Sequence, residues 1–204
     1  MASWHFIRQA PVSAKVGIGM VLIMVAAAIL APVLSPYSET EIVGDVWAPA
    51  SAEHWIGTDN LGRDLLTRLV YGARNTIALA FAITLLSFLF GTVWGFFAAT
   101  LKGWVDQILS RVVDILMAFP TLIFALMVLS VVGTSIPALI IVIALLDSTR
   151  VYRLSRAVAM DIEVMEFVEA ARLRGEGTWW LMRHEILPNA LTPLVAEFGL
   201  RFCF

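Results

Sequence analysis

The sequence predicts an all-α, polytopic membrane protein. Hydrophobic residues make up 60% of the chain and charged residues only 15%, with a mean hydropathy of +0.86. A soluble domain is usually about half apolar and about a quarter charged. Several runs of about 20 residues or more carry little or no charge, and none shows the alternation of a strand. Because lipid cannot hydrogen-bond the backbone, such runs are predicted to be helices.

The first apolar run, from Val16 to Leu34, contains no charged residue over 19 positions and follows Arg8 and Lys15. A cleaved signal peptide is the competing interpretation, because the preceding segment is basic. Signal peptides usually have a shorter apolar core, of about 7–15 residues. The length therefore favours a retained first membrane span.

The remaining runs predict four further helices. The stretch 115–146 is free of charge but is interrupted by Gly133 and Pro137, which mark a turn. We therefore predict two helices joined by a tight hairpin at this point. With the first span, the predicted helices are 16–34, 75–101, 111–132, 136–156 and an apolar segment from Ala190 to Phe204.

The distribution of Lys and Arg predicts the orientation, because cytoplasmic loops are enriched in these residues. The segments 1–15, 102–111 and 150–189 contain ten of them, whereas the alternate segment 35–74 contains three. The N-terminus and the 150–189 segment are therefore predicted to be cytoplasmic. The ten are Arg8, Lys15, Lys102, Arg111, Arg150, Arg153, Arg156, Arg172, Arg174 and Arg183; the three are Arg63, Arg68 and Arg74.

The segment HWIGTDNLGRDLLTRLVYGAR, residues 54–74, predicts an amphipathic helix at the membrane surface. Thr58 or Asp59 is a plausible N-cap. A connector without chemistry is the alternative, and the residue pattern does not reject it. The predicted apolar face consists of Leu61, Leu65, Leu66, Leu69 and Val70, and glycines that permit turns or close approach are Gly57, Gly62 and Gly72.

The segment 165–188 predicts a helix–turn–helix in the cytoplasm. MEFVEAARLR forms the first helix, with Phe167, Ala170, Ala171 and Arg174 on one face, and the sequence from Gly175 to Gly177 stops it. Thr178 is expected to cap a second helix with an apolar stripe, and Pro188 to end it. The stripe consists of Trp179, Met182 and Ile186. These apolar faces either fold back on the span ends or dock into a partner's groove.

Several classes of function lack support in the sequence. A net charge of −2 gives no basic field for nucleic acid. A single cysteine, Cys203, excludes an internal disulfide and a cysteine metal cluster. The histidines His5, His54 and His184 lack ligand spacing, so no metal site or cofactor is expected. No GxxxxGK[ST] loop or paired catalytic side chains occur, and we expect a protein that is not itself an enzyme.

The segment 164–188 resembles the cytoplasmic signature of the permeases of ABC importers, which reads EAA, three residues, Gly, nine residues, then I-x-L-P. One departure exists, because strict counting places Glu185 where the family has isoleucine. The peptide-importer branch is looser at that position. We name the whole segment 164–188 the EAA loop. The residues that carry the match are Glu169, Ala170, Ala171, Gly175, Ile186, Leu187 and Pro188.

Two further segments resemble the dipeptide, oligopeptide and nickel branch of that family. The first is GTDNLGRDLLTRLVYGAR, and the second is GWVDQILSRVVDILMAFP, residues 103–120. The resemblance covers essentially the whole chain. The outer motif consists of Gly57, Thr58, Asp59, Leu61, Gly62, Arg63 and Asp64.

The resemblance implies the transmembrane fold of a type I ABC importer in a bacterial inner membrane, with about five of six expected spans present. The partners would be a second permease, two cytoplasmic ATPase subunits, an extracytoplasmic solute-binding protein and membrane lipid. The EAA loop would be the coupling element, and hydrolysis would occur in the ATPase. The implied solute is a peptide or a nickel-type solute. The implied divisions are 1–34 (first span), 35–74 (extracytoplasmic) and 75–204 (permease core, C-terminally incomplete).

A secondary transporter, a membrane scaffold protein and a membrane-bound enzyme are the alternatives. A secondary transporter would typically carry charges inside its spans. The fifth run holds Glu197 and Arg201, four residues apart, which favours an ion pair on one helix face over a pore-lining role.

The apolar segment after Asn189 is short for a complete span. It contains 15 residues, or about 22 Å of helix against about 30 Å of hydrocarbon. We expect a chain truncated relative to the family rather than a naturally short subunit completed by a partner.

The orientation predicts that Ser51→Cys and Glu176→Cys, introduced with Cys203 replaced by Ser, react with an impermeant thiol reagent from opposite sides. In intact cells the reagent should label position 51, and position 176 should react only after the membrane is opened. Labelling of both positions from one side would contradict the predicted orientation.

Overall fold

The computed structural model describes residues 11–203, except for the side chain of Leu34. His5, Arg8, Phe204 and the first ten residues of the predicted cytoplasmic N-terminus lie outside the described residues. Helices and a single π turn form the regular structure, in the order α1 Val12–Ile29, α2 Ala31–Leu34, α3 Leu65–Leu101, α4 Gly103–Ala118, α5 Thr121–Val132, α6 Ile136–Glu163, α7 Glu166–Leu173, α8 Thr178–Leu181, π turn Met182–Ile186 and α9 Leu187–Cys203.

The described part of the chain confirms the all-α prediction. It contains no strand, only two isolated antiparallel bridges, which join Ile42 to Arg63 and Thr58 to Asp64. The chain divides into two compact units, the first ending at Leu79 and the second running from Ala80. Helix α3 passes through this boundary without a break.

Two described helices, α1 and α3, are each long and apolar enough to cross a bilayer, with a mean hydropathy of 2.2 in both. The pair α4–α5 would be a third crossing if the two helices are counted together. Helix α6 carries Asp147, Arg150 and Arg153 in its middle part, and α9 has only 17 described residues. The number of five crossings therefore stays a prediction.

The interfacial helix predicted within residues 54–74 is wrong as a separate element. Residues 57–64 form turns and isolated bridges. Helix α3 then runs from Leu65 to Leu101, 37 residues without interruption. Neither Thr58 nor Asp59 caps it, because the Asp64 carboxylate accepts the N–H of Thr67 at 2.7 Å at the start of the helix. At 1.5 Å per residue α3 is about 55 Å long, so it extends beyond a hydrocarbon layer of about 30 Å.

The predicted helix 111–132 is also wrong as a single element, because α4 and α5 meet at an angle of 94°. Phe119 between them is extended, with φ −93° and ψ 141°. Pro120 explains the break: its ring disfavours a helical conformation at the preceding residue, and it has no N–H to donate.

The predicted hairpin between α5 and α6 is confirmed. Gly133 ends α5 with φ +99°, a conformation that favours glycine. Ser135 begins α6, and its hydroxyl accepts the N–H of Ala138 at 3.4 Å. Helix α6 then continues to Glu163, seven residues past its predicted end.

Two glycines allow α3 and α6 to approach closely. A Cβ built on Gly91 would lie 2.6 Å from the Cβ of Val151, and one on Gly95 would lie 2.9 Å from the backbone nitrogen of Arg156. The glycines are four residues apart, which is the spacing of close helix contacts in membranes. The backbones of α3 and α6 therefore pack with almost no side chain between them.

The second helix of the EAA loop does not end at Pro188, contrary to the prediction. Helix α8, the π turn and α9 follow one another without a break from Thr178 to Cys203. Within the π turn the N–H of Leu187 reaches back five residues to the carbonyl of Met182. Such a turn is a known way to accommodate a proline within a helix. The predicted cap is wrong too: Gly177 stands at the cap position without a side-chain bond, and Thr178 is the first helical residue.

The α3–α6 contact predicts that Gly95→Ala destabilises the protein, because the new methyl group meets backbone atoms that cannot rotate away. We expect a loss of about 1–3 kcal/mol, typical of overpacking, measured as a lower unfolding temperature in detergent. Gly199→Ala in α9 is the matched control, since nothing lies within 4 Å of its added Cβ. Equal unfolding temperatures for the two variants would contradict the proposed close contact.

Candidate functional site

The EAA loop folds back on the helix ends through one face only. Val168 and Ala171 of α7 are fully buried. They belong to an apolar cluster shared with the ends of α3 and α6 and with the second helix of the loop. Its buried members are Phe88, Phe96, Ala99, Val151, Ala159, Ile162, Val168, Ala171, Leu181, Met182, Ile186, Ala190 and Leu194. Of the sequence-predicted stripe, Met182 and Ile186 are buried here, whereas Trp179 is 59% exposed and stacks on Phe97.

The opposite face of the loop remains exposed. The predicted shared face of α7 is split, because Ala171 points inward while Phe167, Ala170 and Arg174 are exposed. The exposed residues of 164–174 are both apolar and charged, and the charged ones include Glu166, Arg172 and Arg174. We define the outer face of the EAA loop as Val164, Met165, Phe167, Glu169, Ala170 and Leu173, all exposed.

Gly175 forms the turn that the sequence predicts. It has φ +85°, the left-handed conformation that favours glycine. Its N–H donates to the carbonyl of Arg172 at 2.9 Å, and the N–H of Glu176 donates to Ala171 at 3.3 Å. This pair of bonds is a Schellman motif, which satisfies the last carbonyl groups of α7. The direction of the chain after α7 is thus set by backbone geometry at one residue.

Glu169 is exposed in the first turn of α7, and its carboxylate has no ion pair or hydrogen bond within the described residues. No side-chain cap hydrogen bond is present at the start of α7. Ile186 is fully buried, Leu187 is half-buried and Pro188 is exposed at the start of α9. Glu185, at the position of the family's isoleucine, lies 3.9 Å from Arg174.

Glu163, the last residue of α6, was not predicted from the sequence, and its side chain is 1% exposed. One carboxylate oxygen pairs with the Nζ of Lys102 at 2.9 Å. The other accepts from the guanidinium of Arg172. Arg172 lies nine residues after Glu163 and Lys102 lies at the distant α3–α4 junction, so no helical spacing rule points to the cluster.

Further polar contacts between α4 and α6 were missed for the same reason. Arg156 forms two bonds with the Asp106 carboxylate, at 2.5 and 2.6 Å, and Arg153 lies 2.7 Å from Asp114. In α9 the predicted ion pair is confirmed, with Arg201 donating to Glu197 at 2.6 Å. Two ion pairs therefore join α4 to α6, and a third lies within α9.

The outer motif is a folded turn whose glycines are required by close backbone contacts. Gly57 has φ +86°, and its added Cβ would lie 2.4 Å from the carbonyl oxygen of Ala48. Gly62 has φ +76°, and its Cβ would lie 2.3 Å from the carbonyl oxygen of Gly44. Any larger residue at these positions clashes with the backbone of residues 44–48.

The polar residues of the motif hold this turn together. The buried hydroxyl of Thr58 donates to the carbonyl of Asp45 at 2.5 Å and accepts the N–H of Ala48 at 2.8 Å. Besides capping α3, Asp64 contacts the Nδ1 of His54 at 3.2 Å. Leu61 is 51% exposed and does not contribute to the buried interior. No cluster of metal-ligating side chains is found in residues 11–203.

Asp59 is the centre of the motif. Its carboxylate accepts the N–H groups of Leu61 at 2.8 Å and Arg63 at 3.0 Å, and both Arg63 and Arg68 donate from their side chains, at 2.9 and 2.6 Å. Burial alone would raise the pKa of this carboxyl. The two backbone N–H groups and the two guanidinium groups outweigh burial and hold the pKa well below its usual range.

Residues 91–204 match a known family, described as the inner membrane component of binding-protein-dependent transport systems. This range contains the EAA loop, the α3–α6 contact and both glycines that form it. The match covers more than half of the chain.

Curated relatives extend the similarity over nearly the whole chain. A dipeptide transport system permease protein DppC from Alkalihalophilus pseudofirmus is 36% identical over 93% of this chain and 62% of its own length. The dipeptide transport system permease protein DppC from Haemophilus influenzae is 32% identical over 95% of this chain and 68% of its own length. A glutathione transport system permease protein GsiD from Pectobacterium atrosepticum is 32% identical over 97% of this chain and 65% of its own length. The chain thus spans about two thirds of the length of these relatives.

The lowered pKa of Asp59 predicts acid sensitivity of the outer motif. Because the folded pKa lies below the ordinary value, the carboxylate stabilises the turn above about pH 4 and its contribution is lost as the pH falls below that value. Backbone hydrogen exchange at Leu61 and Arg63 should be faster in Asp59→Asn than in the wild type at pH 6. The difference should shrink steadily on acidification.

The matched control is Asp45→Asn, which neutralises an exposed carboxylate in the same loop. It should leave exchange at Leu61 and Arg63 unchanged at every pH. A difference between wild type and Asp59→Asn that is independent of pH would contradict the assigned role of the carboxylate charge.

Proposed function

The chain belongs to the inner membrane components of binding-protein-dependent transport systems, and from that premise we propose that it is the permease subunit of an ATP-driven peptide importer. The family match over residues 91–204 carries the proposal. The relatives are transport permeases rather than enzymes, and a multi-pass inner-membrane location follows from the family and the apolar helices.

The proposed solute class is small peptides. Two of the similar permeases are named for dipeptide transport and one for glutathione, which is itself a tripeptide. The proposed assembly contains a second permease, two cytoplasmic ATPase subunits and an extracytoplasmic binding protein. The binding protein would deliver the solute, and the two permeases would form the pathway between them.

The proposed coupling element is the EAA loop, and its two-faced geometry supports this role. The inner face is anchored by Val168 and Ala171 in the apolar cluster. The outer face presents Phe167, with Leu173 84% exposed. A short helix with one buried face and large apolar side chains exposed elsewhere suits docking into a groove of a cytoplasmic partner.

The proposed mechanism requires no chemistry from this chain. ATP binding would move the ATPase subunits, and the docked loops would carry that motion to the membrane helices, which have two access states. A partner can shift this equilibrium only if it contacts the two states differently. Glu169, exposed on the outer face and without an ion pair in residues 11–203, is a suitable contact for a basic group of the ATPase.

The proposal predicts that Gly175→Val disrupts coupling, because a β-branched residue is strained at φ +85°. We expect loss of ATPase co-purification and of peptide uptake, with the permease still present in the membrane. Gly177→Val is the matched control: Gly177 has φ −76°, and its added Cβ would meet nothing within 4 Å. This variant should retain ATPase co-purification and peptide uptake.

Glu169→Lys tests the outer face without altering the turn. Reversal of this exposed charge should weaken ATPase co-purification, while the unfolding temperature of the permease stays unchanged. Wild-type uptake by both Gly175→Val and Glu169→Lys would exclude the EAA loop as the coupling element.

A further inference from the structure

The Glu163 carboxylate connects three parts of the chain at the EAA loop. It lies at the end of α6, Lys102 is the single residue between α3 and α4, and Arg172 is in α7. Each carboxylate oxygen takes a different cation, so the two contacts do not compete. The cluster therefore joins the loop to the ends of three long helices.

Burial of the carboxylate makes the loss of either partner more costly here than at an ordinary surface ion pair. The Glu163 side chain is 1% exposed, whereas those of Lys102 and Arg172 are 59% and 42% exposed. Removal of one partner from a buried carboxylate is costly, because the remaining charge loses its compensation. A buried carboxylate thus contacts two partly exposed cations, one through each of its oxygens.

The backbone at Lys102 adds a second, independent observation. This residue has φ +53° and ψ −168°, a region that residues other than glycine rarely occupy. Such a conformation persists only where surrounding contacts hold it. The pairing with Glu163 lies at the point where the chain turns from α3 into α4.

We propose that Glu163 is a positioning residue that transmits movement of the EAA loop to the junction of α3 and α4. When α7 moves with a docked partner, Arg172 pulls on the carboxylate, and Lys102 carries the displacement to the junction. This inference rests on the proposed function for its partner, but the link itself lies within this chain. The apolar cluster on the inner face holds the loop in place, and the Glu163 cluster connects it to the junction.

The first experiment measures the link in the permease alone, in lipid nanodiscs. Glu163→Gln keeps the shape and removes the charge, and backbone hydrogen exchange of residues 166–174 should increase. Lys102→Gln and Arg172→Gln, whose side chains are more than 40% exposed, test the same contacts if Glu163→Gln does not fold. The matched control is Arg111→Gln, an exposed cation of α4 without an ion pair in residues 11–203. It should have no effect.

The second experiment measures peptide transported per ATP hydrolysed in the complete reconstituted complex. For Glu163→Gln and Lys102→Gln we expect this ratio to fall by roughly 2- to 30-fold, the range for residues that carry coupling between sites. ATPase co-purification should stay normal, and Lys102→Arg should restore the ratio. The double variant Lys102→Gln/Glu163→Gln should be no worse than Glu163→Gln, since both act through one contact.

Two results would overturn the inference. Unchanged exchange of α7 in all three neutralised variants would show that the cluster does not hold the loop. Faster exchange with an unchanged transport-to-ATP ratio would show that the cluster is structural only. Failure of the wild-type complex to bind an ATPase would instead contradict the proposed function, while the exchange measurement would still decide the link within this chain.

Discussion

The close approach of α3 and α6 at Gly91 and Gly95 is the contact on which the second unit depends. Almost no side chain lies between the two backbones at this contact. The residues that follow it toward the C-terminal end of each helix are therefore also close together. Phe96 and Ala99 on α3 thereby join Ala159 and Ile162 on α6 in one cluster. The inner face of the EAA loop packs on this surface, so the position of the loop is set by the helix pair below it.

Hydropathy predicted where helices occur, because each apolar run must form its own hydrogen bonds in lipid. It placed the hairpin correctly, since Gly133 and Pro137 interrupt an otherwise continuous run. It failed at Pro120, where continuous apolar character hid a 94° break. It also failed within residues 54–74, where charged residues separated the start of α3 from the apolar run that begins at residue 75. Composition shows that a segment is apolar, whereas caps and bends depend on single residues such as Asp64.

The candidate site was predicted in its local part only. The turn at Gly175 follows from a glycine after a short helix, and the structure shows the expected positive φ. The Glu163 cluster could not be predicted, because Lys102 and Arg172 approach it only after α3, α6 and α7 have packed. Asp59 is an intermediate case: its bonds to Leu61 and Arg63 are local, but four donors on one carboxylate become visible only in three dimensions.

The π turn at Met182–Ile186 fixes the rotational phase of α9. It contains one residue more than an α-helical turn would, and each residue rotates a helix by about 100°. Conversion to regular α geometry would therefore turn the whole of α9 about its axis by that amount. Arg201, now 4.0 Å from Asp147 of α6, would face a different neighbour, and Leu194 would leave the buried cluster. A single surplus residue in the EAA loop thus decides which side of the following helix faces the protein.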